Sequence, residues 1–137
     1  MSFRVRPATA DDFRAIYQMA KLTGGGFTNL PADRATLVEK LARSEKSLAR
    51  EEDSQSGDLY VFVLEDPESG KIRGTCQIFG AVGVEQPFYS YHVSTLTQTS
   101  PELGKTFRNQ MLSLTTDLEG CSEVGGLFLH PSARAGG

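Results

Sequence analysis

Long apolar runs are missing from this sequence. No stretch approaches the 18 residues that a membrane-crossing helix requires, which predicts no membrane partner. A basic excess is missing too: 14 Lys and Arg stand against 17 Asp and Glu, a formal net charge of −3. Nothing in that balance draws the chain to a nucleic-acid backbone, so no nucleic acid is expected as a partner. Cysteine is scarce. Cys76 and Cys121 have no CxxC spacing and no histidine cluster beside them, which argues against a metal site and for two reduced thiols in a cytoplasmic protein. The opening MSFRVRPATADD lacks the apolar core of a secretory signal. What is present is ordinary for a globular protein, with 39% apolar and 23% charged residues among 137. One domain over residues 1–137 is expected, burying about 68% of its unfolded surface.

Residues 3–6 read as a short extended segment ended by Pro7. Thr9, three residues before Asp12, is a variant of the capping box and predicts a helix start. Phe13, Ile16, Tyr17 and Ala20 follow at helical spacing, and Thr23-Gly24-Gly25-Gly26 stops the helix. Pro31 and Asp33 open a second helix with Leu37, Leu41 and Leu48 on its inner stripe and a Glu39–Arg43 pair on its wet side. Residues 51–58 form a polar loop, after which LYVFVLED reads as a strand buried on both faces. The Asp66-Pro67-Glu68-Ser69-Gly70 turn returns the chain as a hairpin through KIRGTCQIFGAV, in which Gly74 and Gly80 mark bulges or close packing. Residues 89–96 alternate with the period of a strand, residues 101–104 are loop-like, and residues 107–114 fit helix or strand equally. Residues 123–129 are the last strand. The order predicts an α+β fold: a mainly antiparallel sheet with two helices packed on it.

Four stretches are candidates for chemistry. KLTGGGFTNLP, residues 21–31, lacks the Lys-Ser/Thr of a Walker loop and follows no strand. It is either a helix C-cap with a flexible connection or a mobile lid, in which Thr23, Thr28 and Asn29 would bond a polar ligand. In YSYHVSTLTQTS, His92 is a general base or a plain surface histidine. Asp117, Glu119 and Glu123 match no EF-hand spacing and read as a turn, leaving metal ligands unassigned. LFLHPSARAGG runs from an apolar strand through His130-Pro131 to Arg134 and the glycines Gly136 and Gly137. A helix following such a loop would present free N–H groups to a pyrophosphate, and a flexible tail explains the same residues.

Taken together, MSFRVRPATADDFRAIYQMA and LFLHPSARAGG resemble the opening strand and helix and the R-x-x-G-x-G/A cofactor motif of the acyl-CoA N-acyltransferase superfamily, known as GNAT. TGGGFTNLPADRATL, YVFVLEDPESGKIRGTCQI, PFYSYHVSTL and GCSEVGGLFLHP resemble, in order and spacing, the N-terminal part of arginine N-succinyltransferases. That resemblance implies a GNAT-like half domain reaching as far as the CoA pyrophosphate loop. It implies a CoA-dependent transferase of arginine catabolism, moving succinyl from succinyl-CoA to the α-amino group of L-arginine. Succinyl-CoA would be a co-substrate, with no permanently bound cofactor.

The family's succinyl-CoA contact falls on Leu127. The resemblance extends that role to Phe128, Leu129, Arg134, Gly136 and Gly137, and places Thr23, Gly24, Gly25 and Gly26 at the acceptor site. The family's proton-donor histidine lies beyond residue 137, so the catalytic residue is unassigned and weak or absent acyl-CoA binding is expected of residues 1–137 alone. The family often has Arg, Asn and Ser where this chain has His92, Thr116 and Cys121, which leaves ornithine beside arginine as an acceptor. Two other readings stand next to this one. One is an acetyltransferase acting on another amine. The other is a non-enzymatic module that self-associates in a homo- or hetero-oligomer through an open edge of the last strand.

Overall fold

The computed structural model describes residues 2–51 and 57–134. Most of the polar 51–58 loop, together with Gly136 and Gly137, therefore lies outside the described residues. Strand β1 (Arg4–Pro7) leads through a 3-10 turn (Ala10–Asp12) into helices α1 (Phe13–Leu22) and α2 (Arg34–Leu48). Then come β2 (Leu59–Asp66), β3 (Lys71–Phe79), β4 (Ser90–Ser100), β5 (Lys105–Thr115) and β6 (Glu123–Leu129). One sheet has the order β1-β2-β3-β6, and β4 and β5 form a second sheet of two strands. Every pairing is antiparallel, so the α+β expectation holds.

The local signals act as expected where they are local. Asp12 accepts a hydrogen bond from the Thr9 amide at 2.9 Å and two from the Arg6 guanidinium at 2.8 Å each, tying the start of α1 to β1. Helix α1 ends at the glycine run: Thr23 Oγ1 donates to Ala20 O at 2.7 Å, and Gly24 and Gly25 take φ of +68° and +82°. Asp33 caps α2 by accepting from the Thr36 amide at 2.8 Å. The ambiguous 107–114 stretch is strand. It pairs along its whole length with β4, from Ser90↔Thr115 to Ser100↔Lys105, and cross-strand pairing settles a choice that periodicity left open.

The core lies between the two helices and one face of the four-stranded sheet. Ile16, Met19 and Ala20 of α1 meet Leu37 and Leu41 of α2, Leu59, Val61 and Val63 of β2, and Phe128 of β6. Two expectations need correction here. Strand β2 is not buried on both faces: Leu59, Val61 and Val63 are buried while Tyr60, Phe62 and Leu64 are half-buried, because both helices cover the same face. Leu48 is not on the inner stripe of α2 but 40% exposed, and Ser44 and Ser47 are buried instead.

The reason lies in the sheet. β1 pairs with β2 only as far as Pro7↔Phe62, which leaves the start of β2 as an edge beneath α2. Ser44 Oγ accepts from the Val61 amide at 2.8 Å and Ser47 Oγ from the Leu59 amide at 3.3 Å, so the helix satisfies donors that no strand reaches. Replacing Ser44 with alanine orphans a buried N–H. The expected loss is about 1–3 kcal/mol in urea unfolding, with a smaller loss for Ser47→Ala, whose bond is longer.

Arg43 likewise departs from its expected partner. It donates to Gly57 O and pairs with Glu85 at 3.1 Å, since the chain beside α2 brings a carbonyl and a carboxylate within its reach. Among the described residues, no helix is long and apolar enough to cross a membrane.

Candidate functional site

Strand β6 is the end of the sheet, and among the described residues no strand pairs with its outer side. Its inner side is interrupted. Thr75 faces Phe128 and Gln77 faces Gly125, so Gly126 and Leu127 together oppose the single residue Cys76. This is a β-bulge, made possible by Gly126 at φ +55°. A bulge bends an edge strand and re-aims its amides, and such bends recur beside active sites.

Past the bulge the alternation resumes. The His130 amide donates to Arg73 O at 2.7 Å, so His130 faces β3 and the N–H and C=O of Leu129 face the unpaired side. The three predicted β6 residues therefore divide. Phe128 buries its ring in the core, edge-on to Phe27 with ring centroids 6.2 Å apart. The Leu127 and Leu129 side chains are exposed on the sheet face opposite the helices. There, with Val5, Phe62, Leu64 and Cys76, they line an apolar hollow of about 330 Å³.

The glycine loop reaches this strand from the other direction. Gly24, Gly25 and Gly26 are exposed, and the Thr23 hydroxyl is used by the last turn of α1. Further along, Phe27 packs on Phe128, and the Asn29 side chain lies against Gly125, where an added Cβ would sit 2.6 Å from Asn29 Nδ2. The Asn29 carbonyl accepts from Lys40 Nζ at 2.7 Å and from Gln77 Nε2 at 2.9 Å, while Lys40 Nζ also donates to Gln77 Oε1 at 3.2 Å. Gln77 is 1% exposed. Burial, reinforced by the nearby Arg43 charge, pushes the Lys40 ammonium below its ordinary value.

Sequence reasoning passed over Lys40 and Gln77. The available signal was polarity in the wrong place: Thr75 and Gln77 occupy the inward positions of β3, and Lys40 stands one helical turn from Leu37.

Of the other predicted residues, Arg134 joins this strand and the histidines and acidic residues do not. Arg134 Nε donates to Leu129 O at 3.0 Å and its guanidinium lies 5.5 Å from the Phe128 ring centre, so it covers the outer edge of β6. His130 Nδ1 accepts from the Ser132 amide at 3.1 Å, capping the 3-10 turn Pro131–Ala133. His92 lies on the β4–β5 hairpin, its Nδ1 3.7 Å from Asp117 Oδ2. Glu119 accepts from the Phe88 amide at 3.2 Å, and among the described residues no group of His, Cys, Asp and Glu suits a metal. Burial pushes the Cys76 thiol up, and Cys121 is exposed. Iodoacetamide should therefore alkylate Cys121 at least about tenfold faster than Cys76 at neutral pH, as peptide mapping can read directly.

Comparison with known proteins adds the context. A family model described as arginine N-succinyltransferase beta subunit matches residues 3–137. The arginine N-succinyltransferase of Citrobacter koseri is 44% identical over 133 residues, 97% of this chain and 38% of that protein. An Escherichia coli protein of the same name is 43% identical over 134 residues, with the same coverage of 97% and 38%. Among solved structures, the arginine/ornithine succinyltransferase subunit AI from Pseudomonas aeruginosa superposes with a TM-score of 0.78 at 33% identity, covering 95% of this chain and 39% of that one. The chain thus spans about 38% of the length of the curated relatives it matches.

Proposed function

The chain belongs to the arginine N-succinyltransferase beta subunit family, and on that premise we propose that its protein transfers succinyl from succinyl-CoA to the α-amino group of L-arginine. Residues 1–137 contribute in this reading a half of one acyltransferase domain. The observation that carries it is the glycine bulge in β6 beside an unpaired strand edge. An extended pantetheine arm has amides of its own and can lie along that edge as a further strand does. The outward amide of Leu129 and the re-aimed backbone at Leu127 then face the arm, and Phe128 anchors the strand from the core side.

The chemistry asks for little more than orientation and charge stabilisation. An α-amino group has a pKa of about 8, so weak base assistance exposes its lone pair. The nitrogen attacks the thioester carbonyl carbon, and fixed backbone amides stabilise the oxyanion. The C–S bond then breaks, the amine gives up a proton, and the CoA thiolate leaves and takes one. Both histidines of the chain are engaged elsewhere, and we assign neither this proton transfer. Arg134 keeps its two terminal nitrogens for a CoA phosphate while Nε holds Leu129 O. Gly136 and Gly137 would continue that phosphate site. Thr23, Gly24, Gly25 and Gly26 would border the acceptor, since the same connection touches β6 through Phe27 and Asn29. Ornithine is the second acceptor to consider because one solved relative is named for both amino acids. Relatives are also named as subunits, and we extend assembly into a homo- or hetero-oligomer to this protein.

The test is free-thiol release by the product of the complete reading frame that encodes these residues, given succinyl-CoA and L-arginine. Acetyl-CoA and L-ornithine serve as alternatives. Release that needs both succinyl-CoA and arginine is expected. Release with acetyl-CoA only, or with no donor–acceptor pair at all, overturns the assignment.

A further inference from the structure

We propose that Lys40, Gln77 and the Asn29 carbonyl form a clamp that holds the β6 bulge in register with the connection between α1 and α2, making Gln77 a positioning residue for the acyl-CoA edge. The second half rests on the acyl-CoA reading of β6. The first half does not.

Gln77 is the hub. It stands on β3 directly opposite Gly125, its side chain fully enclosed, and both ends of its amide are used: Nε2 donates to Asn29 O and Oε1 accepts from Lys40 Nζ. A Cβ on Gly126 would lie 2.7 Å from Gln77 Nε2, and one on Gly125 would lie 2.6 Å from Asn29 Nδ2. Two successive glycines therefore rest on the two amide side chains, and the bulge keeps its shape because of what lies beneath it. Lys40 closes the ring from α2, with its ammonium 5.7 Å from the Phe79 ring centre. A lysine half-withdrawn from water, bonded to a carbonyl and an amide oxygen and next to a like charge, is a poor choice for stability alone. Its geometry does suit registration: it joins α2, the Asn29 segment and β3 at one point, and the bulge sits on that point.

Such a clamp predicts a local effect that plain destabilisation does not produce. In Gln77→Leu the enclosed volume is roughly kept while the amide bonds are lost. In the milder Lys40→Met only the ammonium goes. Hydrogen exchange read by mass spectrometry compares peptides covering β6 with peptides covering β2 and β3, each corrected for global stability from urea unfolding. Exchange at residues 125–127 should rise at least about tenfold beyond the correction in either variant, equivalent to an opening made easier by one decade. If β6 exchange merely follows the global change in both variants, the clamp is wrong. Should Gln77→Leu fail to fold, Lys40→Met decides alone.

Coenzyme A titration of the product of the complete reading frame, with and without the same substitutions, tests the second half. Weaker binding by about tenfold in the variants, with the wild type binding, supports a positioning role. Unchanged affinity alongside loosened β6 removes that role and leaves the clamp. No binding by the wild type overturns the acyl-CoA reading itself.

Discussion

Gly126→Ala is expected to destabilise the protein by about 2–3 kcal/mol, a large effect for one methyl group. Part of it is conformational: Gly126 sits at φ +55°, where an L-residue with a Cβ loses about 1–2 kcal/mol. The remainder is steric. The new Cβ would stand 2.7 Å from Gln77 Nε2 and 3.0 Å from its Cδ, and Gln77 has no room to retreat because Asn29 O and Lys40 hold its amide. The two contributions separate in a double-mutant cycle. In a Gln77→Ala background the steric part vanishes and the glycine substitution should lose about 1 kcal/mol less than in the wild type. Gly125→Ala should be milder, since its φ is not positive and the half-buried Asn29 side chain it meets is freer to turn. Urea unfolding of the four proteins in the cycle gives the answer. Equal losses in both backgrounds would mean that Gln77 does not brace the bulge.

Asp12→Ala should lower stability by about 3 kcal/mol at neutral pH, because it leaves the Arg6 guanidinium and the Thr9 amide short of their shared acceptor. Asp12 is 6% exposed and receives three hydrogen bonds of 2.9 Å or less, two from Arg6 and one from Thr9. Burial alone would raise its carboxyl, but the Arg6 guanidinium and the Thr9 amide outweigh burial and hold it below the ordinary carboxylate range. The sign follows from that direction. A carboxyl with a folded value below its unfolded value stabilises fully above the unfolded value, and the contribution fades as pH falls through the folded value. The gap between wild type and Asp12→Ala should therefore be full at pH 7 and shrink steadily below about pH 4. The comparison must be a difference, since Arg4 and Arg6 also hold Glu65 low and both proteins carry an acid loss from that carboxyl. A gap that stays constant from pH 7 to pH 3 would show that the charge pair contributes nothing.

The two predictions draw on different depths of the molecule. Thr9 and Asp12 are three residues apart, and a capping pair at that spacing is readable in any chain. So are the glycine stop after α1, the Asp33 cap and the turn at Gly70, because each is settled by backbone preferences and bonds within a few residues. The strand on which the proposed site rests was legible to the same degree. Leu127 and its neighbours stand out as an apolar strand before His130-Pro131, and the chemistry proposed for that strand came from the resemblance to succinyltransferases. Lys40 and Gln77 were not legible. A lysine on a helix and a glutamine in a strand ordinarily mean solvated faces, and their partner Asn29 lies 48 residues from Gln77 in the chain.

By itself, then, the sequence determined both helices, the strands other than residues 107–114, and which family the chain resembles, since short-range sterics, caps and apolar periodicity act without reference to the rest of the chain; those residues became strand only by pairing with β4. Tertiary structure alone decided that β6 lies beside β3 rather than beside β5, and that two residues crowd against Cys76 to make the bulge. It also decided that serines on α2 complete the uncovered end of β2, and that a lysine and a glutamine meet beneath two glycines. Those outcomes depend on which distant surfaces are pressed together, and there a buried donor or acceptor must take whatever partner the packing brings within reach.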